Sequence, residues 1–248
     1  MMIAVVQREL RSLFGAPLAW LVLGALQFIS AYLFFIHLED FLLQQEKLRA
    51  AGSTLGLSAF VIPRFFAPLS VLLLFVAPLL GMRLIASERS GATLRLLLSA
   101  PVGLFAVVLG KYLAALCLLS LLIVLIGFMP LTLSFWVAID IGALLLAAFG
   151  TWLCAAMGLA LGLFFSALTK HPVSAAVASL SMLLLLWLIG SGNDAQLTEV
   201  TRFLSLPHHL QSFFSGLLDT RDVGYFIVWT ALCLALATKQ LAGQRESP

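Results

Sequence analysis

Apolar residues gather in six long runs, at about residues 16–37, 65–85, 104–129, 139–168, 173–189 and 223–241, and polar residues collect between them. Within each run the side chains are continuously apolar rather than alternating. A helix rises about 1.5 Å per residue, so about 20 apolar residues carry it through roughly 30 Å of hydrocarbon, whereas a barrel strand alternates with period two. The pattern predicts an all-α polytopic membrane protein with six transmembrane helices.

The flanking segments have patterns of their own. Over residues 1–15, Ile3, Val6, Leu10, Leu13 and Phe14 recur at steps of three and four while Arg8, Arg11 and Ser12 fall on the other side. That stripe predicts a helix lying in the membrane interface, with Gly15 and Pro17 turning the chain into the bilayer. Glu9 lies within this basic region and the following run is too long for a signal peptide, so the first span is expected to stay as an anchor. The segment ahead of the second span mixes acids with leucines and ends at Pro63. Ahead of the sixth span, Phe203, Leu204, Leu206, Leu210, Phe213 and Phe214 make the chain too apolar for a loose loop, while Pro207 and Gly216 break it too often for a span. Short helices in or on the outer leaflet are the expectation there.

Composition agrees: 62% of the 248 residues are hydrophobic and 10% charged, more apolar surface than a soluble domain of this size hides. With the N-terminus inside, nine Lys and Arg fall on inside segments and five outside, while eight of the eleven acids fall outside. This bias places both termini in the cytoplasm. The net charge of +3 follows from topology, and no basic cluster is dense enough to track phosphates, so no nucleic-acid partner is expected.

Candidate chemistry is sparse. Gly110-Lys111 resembles the end of a phosphate-binding loop, but Gly103 stands seven positions earlier and Tyr112 replaces the Ser or Thr that holds magnesium. Lys111 is expected to bury its stem and extend its ammonium to the surface. His37 and His171 are solitary, and the adjacent His208 and His209 point about 100° apart on a helix, which does not suit a shared metal. Cys117, Cys154 and Cys233 have neither metal nor disulfide spacing and read as small core residues. Only Arg83, Lys111, Asp140 and Lys239 carry charge inside the spans, each near an end, so no ion pathway is indicated.

Two features invite function. In the fourth span Gly150, Cys154, Gly158 and Gly162 follow at four-residue steps. Small residues so spaced let another helix backbone approach, either at a seam that slides or in ordinary packing within one subunit. Between the second and third spans lies "IASERSGATLRLLLSAPVG", where Glu88, Arg89 and Arg95 interrupt the hydrocarbon. A helix over residues 92–99 would put Leu94, Leu97 and Leu98 on one face with Arg95 beside it, Ser90 capping its start and Pro101 discouraging its continuation. The charges either contact a partner or serve only the inside rule.

This stretch, Glu88-x-x-x-x-Thr93-Leu94-x-Leu96-Leu97-Leu98-Ser99-x-Pro101 followed by Gly110-Lys111, resembles the E-x-x-S-G-T-L-E-L-L-L-T-x-P pattern of ABC-2 type permease subunits and its downstream G-K. Gly91 stands where that pattern has Ser, Ala92 where it has Gly, and Arg95 where a Glu is usual. Within the family, "HLQSFFSGLLDTRDVGYF" is similar to the F-x-x-F-x-x-G-x-x-D-x-R-D-x-x-Y-F run of the gliding-motility permease group. The resemblance implies a permease half that pairs with a second half, identical or related, and with two cytoplasmic ATPase subunits that bind ATP and Mg. It implies export or mechanical work across a bacterial inner membrane, no cofactor in this chain, and no enzyme activity of its own. Under it, Glu88, Arg89, Gly91, Thr93, Leu94, Arg95 and Leu98 belong to a cytoplasmic coupling helix that docks on the ATPase. A membrane anchor or signalling platform for cytoplasmic partners, itself surrounded by membrane lipid, is the alternative class.

Overall fold

The computed structural model describes residues 2–50, 56–90, 103–137, 139–189 and 199–246. Its helices are α1 (Met2–Gly15), α2 (Pro17–Ala50), α3 (Leu57–Gly81), α4 (Arg83–Ser90), α5 (Leu104–Thr132), α6 (Ile141–Leu168), α7 (Pro172–Ile189), α8 (Glu199–Leu204), α9 (Leu206–Phe214) and α10 (Thr220–Glu246). A single 3₁₀ turn, Leu133–Phe135, follows α5, and no strand occurs among the described residues. Among the described residues six helices are long and apolar enough to cross a membrane.

Helix α6 is the central column. In its most apolar window 72% of residues are buried, against 28% in α2, α7 and α10, and it packs on α3, α10, α5, α7 and α9. Small residues allow this: Ala147, Ala155, Ala160 and Ala167 are fully buried where bulkier side chains would hold the neighbours away. Asp140, near an end of the expected span, caps α6 by accepting a hydrogen bond from the Ala143 backbone N–H at 3.0 Å.

Helix α1 is the expected amphipathic element. Val6, Leu10, Leu13 and Phe14 are half-buried against α5 and α2, and Arg8, Arg11 and Ser12 are exposed. It ends at Gly15, and Pro17 opens α2, where a missing N–H costs nothing. The Trp20 indole N–H donates to the Phe14 carbonyl at 2.8 Å across this elbow.

Two boundaries differ from the sequence expectation. Helix α2 runs on to Ala50, because residues 38–50 contain neither Gly nor Pro and are mostly good helix formers. Helix α3 begins at Leu57, eight residues before the expected 65, and Pro63 lies inside it rather than ahead of it. Burial of Phe60, Val61 and Ile62 offsets the hydrogen bond that the proline removes. The short helices expected before the sixth span are α8 and α9. They are separated at Ser205, whose side chain accepts from the His208 backbone N–H at 3.2 Å.

Candidate functional site

Functional geometry gathers at the two ends of α6. At its Leu168 end, α3 stops at Gly81 and α4 restarts at Arg83, and the break is held by Ser166 of α6. The Ser166 hydroxyl donates to the Met82 carbonyl at 2.7 Å and accepts from the backbone N–H groups of Ala86 at 2.8 Å and Ile85 at 3.2 Å. One donor and two acceptor lone pairs are the full capacity of a hydroxyl. A side chain inserted into the helical ladder in this way is a recognised cause of a bend. Ser166 is fully buried at this junction.

Glu88 and Arg89 lie in the last turn of α4, which remains helical through Ser90. Gly91, Thr93, Leu94, Arg95 and Leu98, with the expected helix over 92–99, lie outside the described residues.

Beside this break, Lys111 of α5 corrects the sequence expectation. Its side chain is only 3% exposed, and its ammonium lies 2.8 Å from Glu9 Oε1 on α1 rather than extending to the surface. Glu9, on the half-buried side of α1, reaches the lysine from outside the bundle, and pairing removes the reason to snorkel. The sequence places these residues 102 positions apart, with nothing in either segment to announce the other.

The four-residue ladder of α6 faces partners within this chain. A Cβ added at Gly162 would lie 2.9 Å from Pro78 Cα and 3.2 Å from Gly81 Cα, so α3 and α6 touch backbone to backbone. A Cβ at Gly150 would lie 2.6 Å from the Phe213 side chain of α9. Gly158 is looser, with Ala77 Cβ at 3.4 Å, and Cys154 is buried in the same column. Cys233 is buried too, whereas Cys117 is exposed on the outside of α5 and is not the core residue expected of it.

At the opposite end of the bundle, α8, α9 and α10 line an open cleft of about 710 Å³. His209 fixes its wall: Nδ1 lies 2.7 Å from Asp222 Oδ1, Nε2 lies 2.9 Å from the Phe203 carbonyl, and the ring stacks on Tyr225 at 4.1 Å. Both ring nitrogens of His209 thus face oxygen atoms, which fixes the ring's orientation between α8 and α10. Asp222 Oδ2 is buried with no hydrogen-bond partner among the described residues. The turn that brings α10 back needs Gly216, at φ +75°, just past the end of α9. Sequence reasoning set His209 aside as half of an adjacent pair. The signal that could have found its partner was Asp222 in the first turn of the sixth span, thirteen residues on. Among the described residues no group of three or more His, Cys, Asp or Glu is placed to hold a metal ion.

The described residues thus form an all-helical chain with six helices long and apolar enough to cross a membrane, packed around a central column of small residues. The model of the ABC-2 family transporter protein matches residues 3–242, and the chain belongs to that family. Comparison with curated proteins gives no match. As a member, the chain is a permease component, not itself an ATPase, and its family works in partnership with ATPase subunits.

Proposed function

We propose that this chain is one membrane half of an ABC-2 export complex of the gliding-motility permease type, sited in a bacterial inner membrane with both termini cytoplasmic. Two halves, this chain twice or with a related chain, associate with two cytoplasmic ATPase subunits, which bind ATP and Mg. Hydrolysis there drives export or mechanical work through the spans. The observation that carries this reading is the family match over nearly the whole chain. Its support is physical: Ser166 ties the start of α4 to the central column, so force applied at Glu88, Arg89 and the residues beyond would reach α6 directly. Gly91, Thr93, Leu94, Arg95 and Leu98 complete the proposed docking surface.

The test is to solubilise the tagged full chain from its host and to assay what accompanies it. Co-purification of an ATPase subunit, with Mg-dependent ATP hydrolysis by the complex, is the expected result. Isolation of the chain without an ATPase under conditions that preserve its fold would overturn the reading. Topology is tested separately by single-cysteine labelling in a background lacking the three native cysteines. An impermeant reagent applied to intact cells should label positions 47 and 219 and spare 170.

A further inference from the structure

The cleft between α8, α9 and α10 runs from charged residues into hydrocarbon. Asp222, Tyr225, Trp229 and Leu232 line it at steps of three and four residues, so they share one face of α10 and carry the cleft about 15 Å along that helix. At its apolar end Val228 is 65% exposed and Leu232 48%, on a helix long and apolar enough to cross a membrane, so this end opens to lipid. The volume of about 710 Å³ lies within the range of sites that hold small ligands.

The polar end has an unmet bond. Asp222 lines the cleft with only 9% of its side chain exposed; its Oδ1 lies 2.7 Å from His209 Nδ1, and its Oδ2 is buried with no hydrogen-bond partner among the described residues. A buried carboxylate oxygen without a donor is costly, and a charge-assisted N–H bond from a ligand ammonium relieves that cost. The rings of Phe203 and Trp229 line the same cleft, and aromatic faces attract cations. Arg221, on the rim one residue away, presents a fork suited to phosphate oxygens. An ammonium close to a phosphate, with a hydrocarbon chain below, is the chemistry of an amine-bearing phospholipid.

We propose that this cleft binds one phospholipid with a primary-amine headgroup, whose ammonium donates to Asp222, whose phosphate meets Arg221 and whose acyl chain follows Val228, Trp229 and Leu232. The lipid then fastens α8 and α9 to α10 beside the His209–Asp222 contact. The site rests only on the chain's spanning a membrane and not on its partnership with an ATPase, and its test reads lipid retention rather than transport.

The experiment uses the purified full chain in detergent with equal amounts of phosphatidylethanolamine, phosphatidylcholine and phosphatidylglycerol of the same acyl chains, and counts retained lipids by native mass spectrometry. Wild type should hold one phosphatidylethanolamine per chain, at least tenfold over phosphatidylcholine, whose quaternary nitrogen has no N–H to donate. Asp222→Asn should lose that preference, and Glu39→Gln, an exposed acid outside the cleft, should keep it. Val228→Trp, which fills the apolar end without changing charge, should exclude the lipid and keeps the test decisive if Asp222→Asn folds poorly. O-Phosphoethanolamine at millimolar concentration should not displace the lipid, because it lacks the chains. Equal retention of phosphatidylethanolamine and either other lipid by wild type, an unchanged preference in either folded cleft variant, or displacement by O-phosphoethanolamine alone would overturn the proposal.

Discussion

The hydroxyl of Ser166 donates to the carbonyl of Met82 at 2.7 Å, across the point where α3 ends and α4 begins. Because the same oxygen accepts from Ile85 and Ala86, Ser166→Ala should leave buried backbone groups short of partners at an expected cost of about 1–3 kcal/mol. Thermal unfolding of the purified chain measures it. A melting temperature equal to that of wild type would show that the α3–α4 junction does not depend on this hydroxyl.

The α6 ladder should respond unequally along its length. Gly162→Ala places a methyl 2.9 Å from Pro78 Cα, where backbone must shift, and overpacking of this kind costs about 1–3 kcal/mol. Gly158→Ala meets Ala77 at 3.4 Å and regains helix propensity worth up to about 1 kcal/mol, so it should be close to neutral. Comparing the two melting temperatures decides it, and equal losses at both positions would contradict the packing described.

Removing one partner of a buried ion pair is more damaging than removing both. Glu9→Gln should remove the carboxylate that pairs with the buried Lys111 ammonium and cost up to about 3–5 kcal/mol, at the lower end because Glu9 is itself 16% exposed. Glu9→Gln with Lys111→Met should recover most of that loss. A double variant no more stable than the single one would show that the pair is not coupled.

At the other end, His209→Ala removes the hydrogen bond to Asp222, whose side chain stays buried, whereas His208→Ala removes a neighbour without that partner. The first should loosen α8 and α9 and cost about 1–3 kcal/mol, and the second should cost well under 1 kcal/mol. Limited proteolysis around residues 199–216 reads the loosening directly. Equal cleavage in both variants would contradict the role given to His209.

Much of the fold was legible because it follows from runs of hydrocarbon length and from one amphipathic stripe, both local properties. Gly15 and Pro17, and the short helices interrupted near Pro207 and at Gly216, could be read the same way. The α3 start could not, since Pro63 is a local stop signal that the burial of Phe60, Val61 and Ile62 overrides. The polar contacts were hidden for a different reason. Glu9 with Lys111, and Ser166 with Met82, join positions 102 and 84 residues apart, and each residue alone looked like an ordinary topological charge or an unremarkable span serine. The four-residue ladder announced close packing, but only the fold places it against Pro78, Gly81 and Phe213.

Coupling to an ATPase is tested most directly at Arg95. Topology depends on the number of basic residues inside, whereas docking depends on where they stand, so Arg95→Ala combined with a new lysine in the C-terminal tail separates the two. The measurement is ATP hydrolysis by the complex pulled down through this tagged double variant, after cysteine labelling has shown correct insertion. Normal insertion with the ATPase lost, or retained but at least tenfold less active, is the expected result. Full association with full hydrolysis would contradict a coupling role for Arg95.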